Sequence, residues 1–207
     1  MKFIYHQGCW DGFCAAWLGH LVWPDAEFIP ANYGWKVPDV TNQDVIIADF
    51  SYPRNILLDM KSSAKSLLVL DHHKTAEHEL KDLDFCTFDM NRSGARLVWD
   101  YLIANNLMDP NKIWDNQSLS FIKPHWLVAY IEDRDLWRKS LDHSIEINAA
   151  IRSYPFDFKI WNNIAIRDKN ELIIEGMSIL RQQKQIIDHH IKHLQWIELD
   201  GLKGKGC

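Results

Sequence analysis

No apolar stretch in these 207 residues approaches the length of a bilayer-crossing helix, which needs roughly 18 residues or more, so no membrane span is expected. The N-terminal segment Met1–Trp10 has a single Lys and an apolar run broken by His6 and Gln7. It is too short and too polar for a signal peptide. Cysteine is scarce. Cys9, Cys14, Cys86 and Cys207 form no CxxC pair and no dense framework, which argues against a disulfide scaffold and for a reduced, cytoplasmic setting. Cys14 and Cys86 read as core residues. There is also no run of Lys or Arg, and the formal net charge is -5. Proteins that grip long duplex nucleic acid carry a basic face, and that class is not expected here. A small phosphate-rich substrate held partly by metal ions needs no such face. Internal repeats and low-complexity segments are absent as well.

What is present is an ordinary globular composition, 47% apolar, with an excess of Trp, 10 in all. That Trp excess speaks of core and interface filling rather than chemistry. Lys2–His6 reads as a short buried strand. Asp11 and Gly12 open a helix in which Phe13, Ala16, Trp17 and Leu21 recur at helical spacing. Glu27–Asn32 is a second strand, and Asp44–Phe50 (DVIIADF) is a continuous apolar run, as expected of a strand covered on both faces. Ser51 is placed to cap the next helix, with Pro53 in its first turn. Ser66–Leu70 (SLLVL) runs directly into Asp71-His72-His73. A short strand lies near Phe85–Phe88, and Ser93 caps a helix through about Asn105. Residues 106–120 read as a loop. Helices follow around His125–Glu132, near 143–152 and 156–166, and as a long segment near 169–195. Strands alternating with helices predict an α/β fold: a doubly wound, mainly parallel sheet with a helical C-terminal extension.

In a parallel sheet all strands point one way, so His6, Asp49 and Asp71-His72-His73 come to lie along one edge. Open α/β sheets bind ligands at that edge. One Asp at a strand end is most often a turn or cap residue. Three strand ends that all carry carboxylates or imidazoles are a different matter, and VLDHHK is the sharpest piece. Two adjacent His at a buried strand end have little structural use, and burying them without partners is costly. A mixed set of imidazoles and carboxylates suits Mn-like divalent ions.

Four motifs in order resemble the DHH phosphoesterase superfamily, which includes RecJ-type exonucleases, nano-RNA hydrolases, exopolyphosphatase-like enzymes and family II inorganic pyrophosphatases. His6–Gly12 (HQGCWDG) is similar to the first motif, Asp49 in VIIADF to the second, Asp71-His72-His73 to the third, and Asp133 in YIEDRDLW to the fourth. Asn91–Trp99 (NRSGARLVW) resembles the family's serine-capped helix. The likeness spans about residues 1–160. It implies a phosphohydrolase that cleaves phosphodiester or phosphoanhydride bonds with two Mn2+ ions, Mg2+ being the alternative. Asp49 would bridge the ions, His6 would bind the first, and Asp11, His72 and Asp133 the second. The catalytic pair would be His73, facing the substrate phosphate, and Asp71, orienting the histidines. The substrate would be a short oligonucleotide, a dinucleotide or polyphosphate.

Two departures stand out. Cys9 occupies a place where the family commonly has Asp; it is either a thiolate ligand for a softer metal or a bystander beside a weak first site. The family's second domain, with its Gly-rich, His-containing substrate motif, is not found. Residues 161–207 read as a helical linker whose apolar residues, among them Leu172, Ile173, Leu180, Ile187, Ile191 and Leu194, fold back on the first domain or pair with a second chain as a homodimer. Weak, broad activity is then expected, and the rival reading is a poorly active metal- or nucleotide-binding regulatory module. Asp135 is the alternative to Asp133. Lys74 and Arg92 are candidate phosphate contacts. A second Asp-His-His, Asp188-His189-His190, has helical surroundings and reads as a solvated helix face.

Overall fold

The computed structural model describes residues 1–109 and 124–192, together with the backbone of 195–199 and 202–206. Most of the loop expected at 106–120 lies outside the described residues, as does Leu194. In chain order the elements are β1 (Lys2–His6), α1 (Trp10–Val22), β2 (Glu27–Ala31), β3 (Asp44–Ala48), α2 (Arg54–Ser63), β4 (Ser66–Asp71), α3 (Lys74–Leu80), β5 (Cys86–Phe88) and α4 (Gly94–Ala104). Then come α5 (Trp126–Asp135), α6 (Ser144–Ile151), α7 (Phe158–Ala165), α8 (Lys169–Lys192), β6 (Gln195–Leu199) and β7 (Leu202–Gly206). The short α3 had no expectation in the sequence.

Strands β1 to β5 form one parallel sheet in the order β2-β1-β3-β4-β5. The chain steps outward from β1 to β2, then returns past β1 to β3 and proceeds the other way. The reversal falls between β1 and β3, so the crevice above their C-terminal ends is the natural ligand site of the sheet. Alternation along the strands feeds two cores. Phe3, Ile46, Ala48 and Leu70 face α1, α4, α5, α6 and α7, while Ile4, Val45, Ile47 and Val69 face α2 and α3. Both faces are covered, which is why these strands read as unbroken apolar runs.

The Ser93 cap is present, its Oγ accepting from Arg96 N at 3.3 Å. Ser51 does not cap α2. Pro53 holds that position, and the Ser51 hydroxyl turns instead to Asp71. On α7, Trp161 and Ile164 are buried in the same core as Phe3 and Trp17, and the core continues to Leu172 on α8. Burying a ring the size of Trp161 is worth about 4–6 kcal/mol at about 25 cal/mol per Å². Residues just past 160 are thereby packed into the same core as the sheet. Gly176 lets α8 lie against α6: a Cβ there would stand 1.8 Å from the Glu146 carbonyl oxygen. Farther along α8, Ile186, Ile187 and Ile191 are exposed, as is the second Asp-His-His. The helical C-terminal segment is followed by a hairpin, in which β6 and β7 pair antiparallel. No helix of the described residues is long and apolar enough to cross a membrane.

Candidate metal centre

Asp49 follows directly on β3. Its amide donates to Leu70 O at 3.0 Å, extending the ladder one step beyond the strand, but its φ is +56°. A non-glycine residue in the left-handed region costs on the order of 1–3 kcal/mol and persists only where the surroundings enforce it. The enforcement comes from α4: a Cβ on Gly94 would meet the Asp49 Cβ at 2.4 Å. The strain aims the carboxylate into the crevice. Asp49 Oδ1 lies 3.1 Å from His72 Nε2. Asp49 Oδ2 lies 3.6 Å from His6 Nδ1, too far for a hydrogen bond, and both of those atoms are buried without a partner. Burial by itself would raise the Asp49 carboxyl, but the imidazoles of His6, His72 and His73 outweigh it and hold the group below the usual carboxylate range.

Asp11 sits in the first turn of α1 and accepts hydrogen bonds from the free amides that open α4, Gly94 N at 2.6 Å and Ala95 N at 3.1 Å. Two donors and a helix N-terminus favour its charge. Burial, and then the carboxylates of Asp49 and Asp135, still push its proton affinity well up. His72 Nε2 stands 3.8 Å from Asp11 and 3.5 Å from Asp135. Burial would lower His72, but its bond to Asp49 and the charges of Asp11, Asp49 and Asp135 raise it to about 9. Asp135 is itself raised, by burial and then by Asp49. Excess negative charge at this density calls for cations.

Beside this cluster runs a buried relay. Asp71, fully buried, accepts from His73 Nδ1 at 2.6 Å and from the backbone amides of His72 and His73 on one oxygen, and from Ser51 Oγ at 2.5 Å on the other. The bond to Asp71 raises His73 and leaves Nε2 as its free ring nitrogen.

Three sets of potential ligand atoms each fall within 4.8 Å of one another: His6–Cys9–Asp49, Asp49–His72–His73 and Asp11–His72–Asp135. Asp49 belongs to two of them, and so does His72. The Cys9 thiol is pushed up by burial and then by Asp49 and Asp11, so it stays protonated unless a cation draws the proton off. The residues fit a divalent-metal centre. The donor set mixes imidazole and carboxylate, and two orphaned buried atoms, on His6 and Asp49, face each other across it.

The structure thus gathers His6, Cys9, Asp11, Asp49, His72 and His73, with Asp71 behind them. It does not bring Asp133 to the cluster. Asp133 accepts from Ser140 N at 2.8 Å, Ser140 Oγ at 2.6 Å and Ser144 Oγ at 2.5 Å, so its carboxylate is spent tying α5 to the start of α6. Asp135, two residues on, takes the place expected of Asp133. Arg92 is engaged in ion pairs. It belongs to a network in which Arg92, Arg96 and Arg138 surround the buried Glu132 at 3.6–3.9 Å, with Arg92 also 3.6 Å from Asp100. Lys74 is exposed at the first position of α3, next to His73. Two cations, Arg134 and Arg152, lie beside the cluster without a sequence expectation. Arg134 has a local signal, its place between Asp133 and Asp135; nothing in the local sequence distinguishes Arg152.

No family model matches the chain. An uncharacterized protein of Acanthamoeba polyphaga mimivirus is 26% identical over 220 residues, covering 94% of this chain and 47% of that protein. The chain therefore spans about half the length of this relative. Among solved structures, an uncharacterized protein from Helicobacter pylori G27 matches with a TM-score of 0.59 at 14% identity, over 89% of this chain and 62% of the other. That likeness is one of fold.

Proposed function

We propose that this chain is a divalent-metal-dependent phosphohydrolase of the DHH type, acting on phosphodiester or phosphoanhydride bonds. The observation that carries the reading is Asp49: a strained, buried carboxylate shared between two adjoining ligand sets, with one oxygen left unpartnered against His6. His6, Asp49 and Cys9 would hold one ion, and Asp11, Asp49, His72 and Asp135 the other. Mn2+ suits this mixture best, with Mg2+ as the alternative. When bound, such ions supply the activation of water and the neutralisation of phosphoryl oxygens that in-line displacement at phosphorus requires. The protein's own part is orientation. Asp71 and Ser51 lock the His73 ring, so that His73 Nε2 can donate to a phosphoryl oxygen. The amides opening α4 fix Asp11.

Metal counting and turnover of bis-p-nitrophenyl phosphate test the reading together. The purified protein should turn over with Mn2+, less with Mg2+, and not in excess EDTA. Asp49→Ala should lose both ions, and His73→Ala should retain metal and lose turnover. Full activity in EDTA would overturn the mechanism, and full metal occupancy in Asp49→Ala would overturn the shared-ligand assignment. Metal uptake with no turnover of any phosphate ester would identify a regulatory module instead.

A further inference from the structure

Beside the metal centre, where the N-terminus of α1 meets the end of α5 and α6, lies a cavity of about 170 Å³. Cys9, Asp11 and Asp135 of the cluster form part of its lining. A second cavity of about 320 Å³ continues from it toward α8, and the two share Trp10, Arg134 and Arg152. The Arg152 guanidinium stands 4.3 Å from the centre of the Trp10 ring, and that of Arg134 stands 6.0 Å from the centre of the Trp137 ring. Among the described residues neither arginine has a carboxylate within ion-pair distance. They are close enough that Arg134, after burial, lowers the proton affinity of Arg152. Two neighbouring guanidiniums, neither of them held in an ion pair although Asp11 and Asp135 line the same cavity, form a receptor for an anion, and their planar forks suit phosphate. Stacking on Trp10 holds Arg152 in one orientation.

Two further groups narrow the ligand. Asn148, one of the residues lining the cavity, is 1% exposed; its amide nitrogen donates to Tyr130 O and Ser144 O, while its Oδ1 is buried and has no hydrogen-bond partner. A ligand there needs a hydrogen-bond donor as well as a negative charge. Trp137, at the rim, is 73% exposed with φ +55°, an apolar ring offered to solvent. We propose that this pocket binds a further phosphate of a nucleotide substrate between Arg134 and Arg152, with a sugar hydroxyl donating to Asn148 and the base lying against Trp137. The substrate class is then a short oligonucleotide carrying a terminal phosphate, rather than a simple diester. The pocket rests on the phosphohydrolase reading for the phosphate that reacts, while its own binding requires no metal.

Calorimetry of the full chain with adenosine 5′-monophosphate in excess EDTA tests the pocket apart from catalysis. Saturable binding is expected, weakened about tenfold or more in Arg134→Gln/Arg152→Gln, since each arginine makes charge-assisted bonds, and partly kept in Arg152→Lys. With Mn2+, kcat/KM for a 5′- or 3′-phosphorylated dinucleotide should exceed that for the unphosphorylated one by about tenfold, and this ratio should fall toward one in the double variant. If the double variant does not fold, Trp137→Ala and the wild-type preference decide. Absence of saturable binding, or binding indifferent to the substitutions, overturns the pocket. Monophosphate binding with no hydrolysis of any substrate would leave the pocket standing and sink the phosphohydrolase reading. Hydrolysis without monophosphate binding and with a ratio near one would do the reverse.

Discussion

Asp133 and Asp135 stand two residues apart and should respond to the same substitution in opposite ways. Asp133 is 3% exposed and accepts three short hydrogen bonds from Ser140 and Ser144. Burial by itself would raise its carboxyl, but those bonds hold it below the usual range. It therefore stabilises the fold at neutral pH, and that contribution is lost as pH falls through its depressed value. Asp133→Asn keeps the shape and one acceptor oxygen but removes the charge. Bonds to a charged acceptor are worth about 1.5–3 kcal/mol against about 0.5–1.5 for neutral ones, so the loss over three bonds is about 3–4.5 kcal/mol. For a chain of this length that is a fall in Tm of roughly 6–18 °C. Metal binding should survive. Among the described residues Asp135 has no such partners, and its carboxyl is raised by burial and the neighbouring Asp49. Asp135→Asn relieves repulsion in the metal-free protein, so Tm in EDTA should hold or rise, while Mn2+ affinity should fall by about 10–100-fold. Thermal melts in EDTA and calorimetric Mn2+ titrations on both variants are the assay. Loss of metal with unchanged Tm in Asp133→Asn, paired with a large fall in Tm in Asp135→Asn, would refute the assignment.

Two other outcomes are expected. In the metal-free protein His72 is raised from its ordinary value near 6.5 to about 9, so its stabilising contribution is complete below about 6.5 and fades as pH climbs toward 9. Urea melts in EDTA should show stability falling across that window, and Mn2+ affinity should rise over it because a metal ligand must be neutral imidazole; flat stability would contradict the His72 environment. Gly94→Ala places a methyl 2.4 Å from Asp49 Cβ and 2.8 Å from its Cα. Overpacking of this kind costs about 1–3 kcal/mol or more, and metal counting should show depletion together with a lower Tm. Normal occupancy would mean that α4 does not hold Asp49 in place.

The sheet and the approximate site were legible in the sequence because the geometry of a parallel sheet is nearly local. DVIIADF and SLLVL are unbroken apolar runs, and a polar residue at the end of such a run must emerge at the C-terminal edge, where His6, Asp49 and Asp71-His72-His73 are found. The same logic does not identify the fourth candidate ligand. Residues two apart on a helix point about 200° apart, so YIEDRDLW alone does not say which Asp faces the crevice. The orientation of α5 decides it, and Ser140 and Ser144 take Asp133 for the fold. Ser51 departs from its expected capping role for a similar reason: a hydroxyl before a helix usually caps it, but buried Asp71 makes the stronger demand. The left-handed turn at Asp49 depends on Gly94 pressing from α4, and Arg134 meets Arg152 only because α5 and α6 pack with their ends beside Trp10. Strand, helix and ligand type are written in neighbouring residues. Which ligand turns inward, and which cations gather beside it, is set by contacts between segments far apart in the chain, and only the packed tertiary structure makes them.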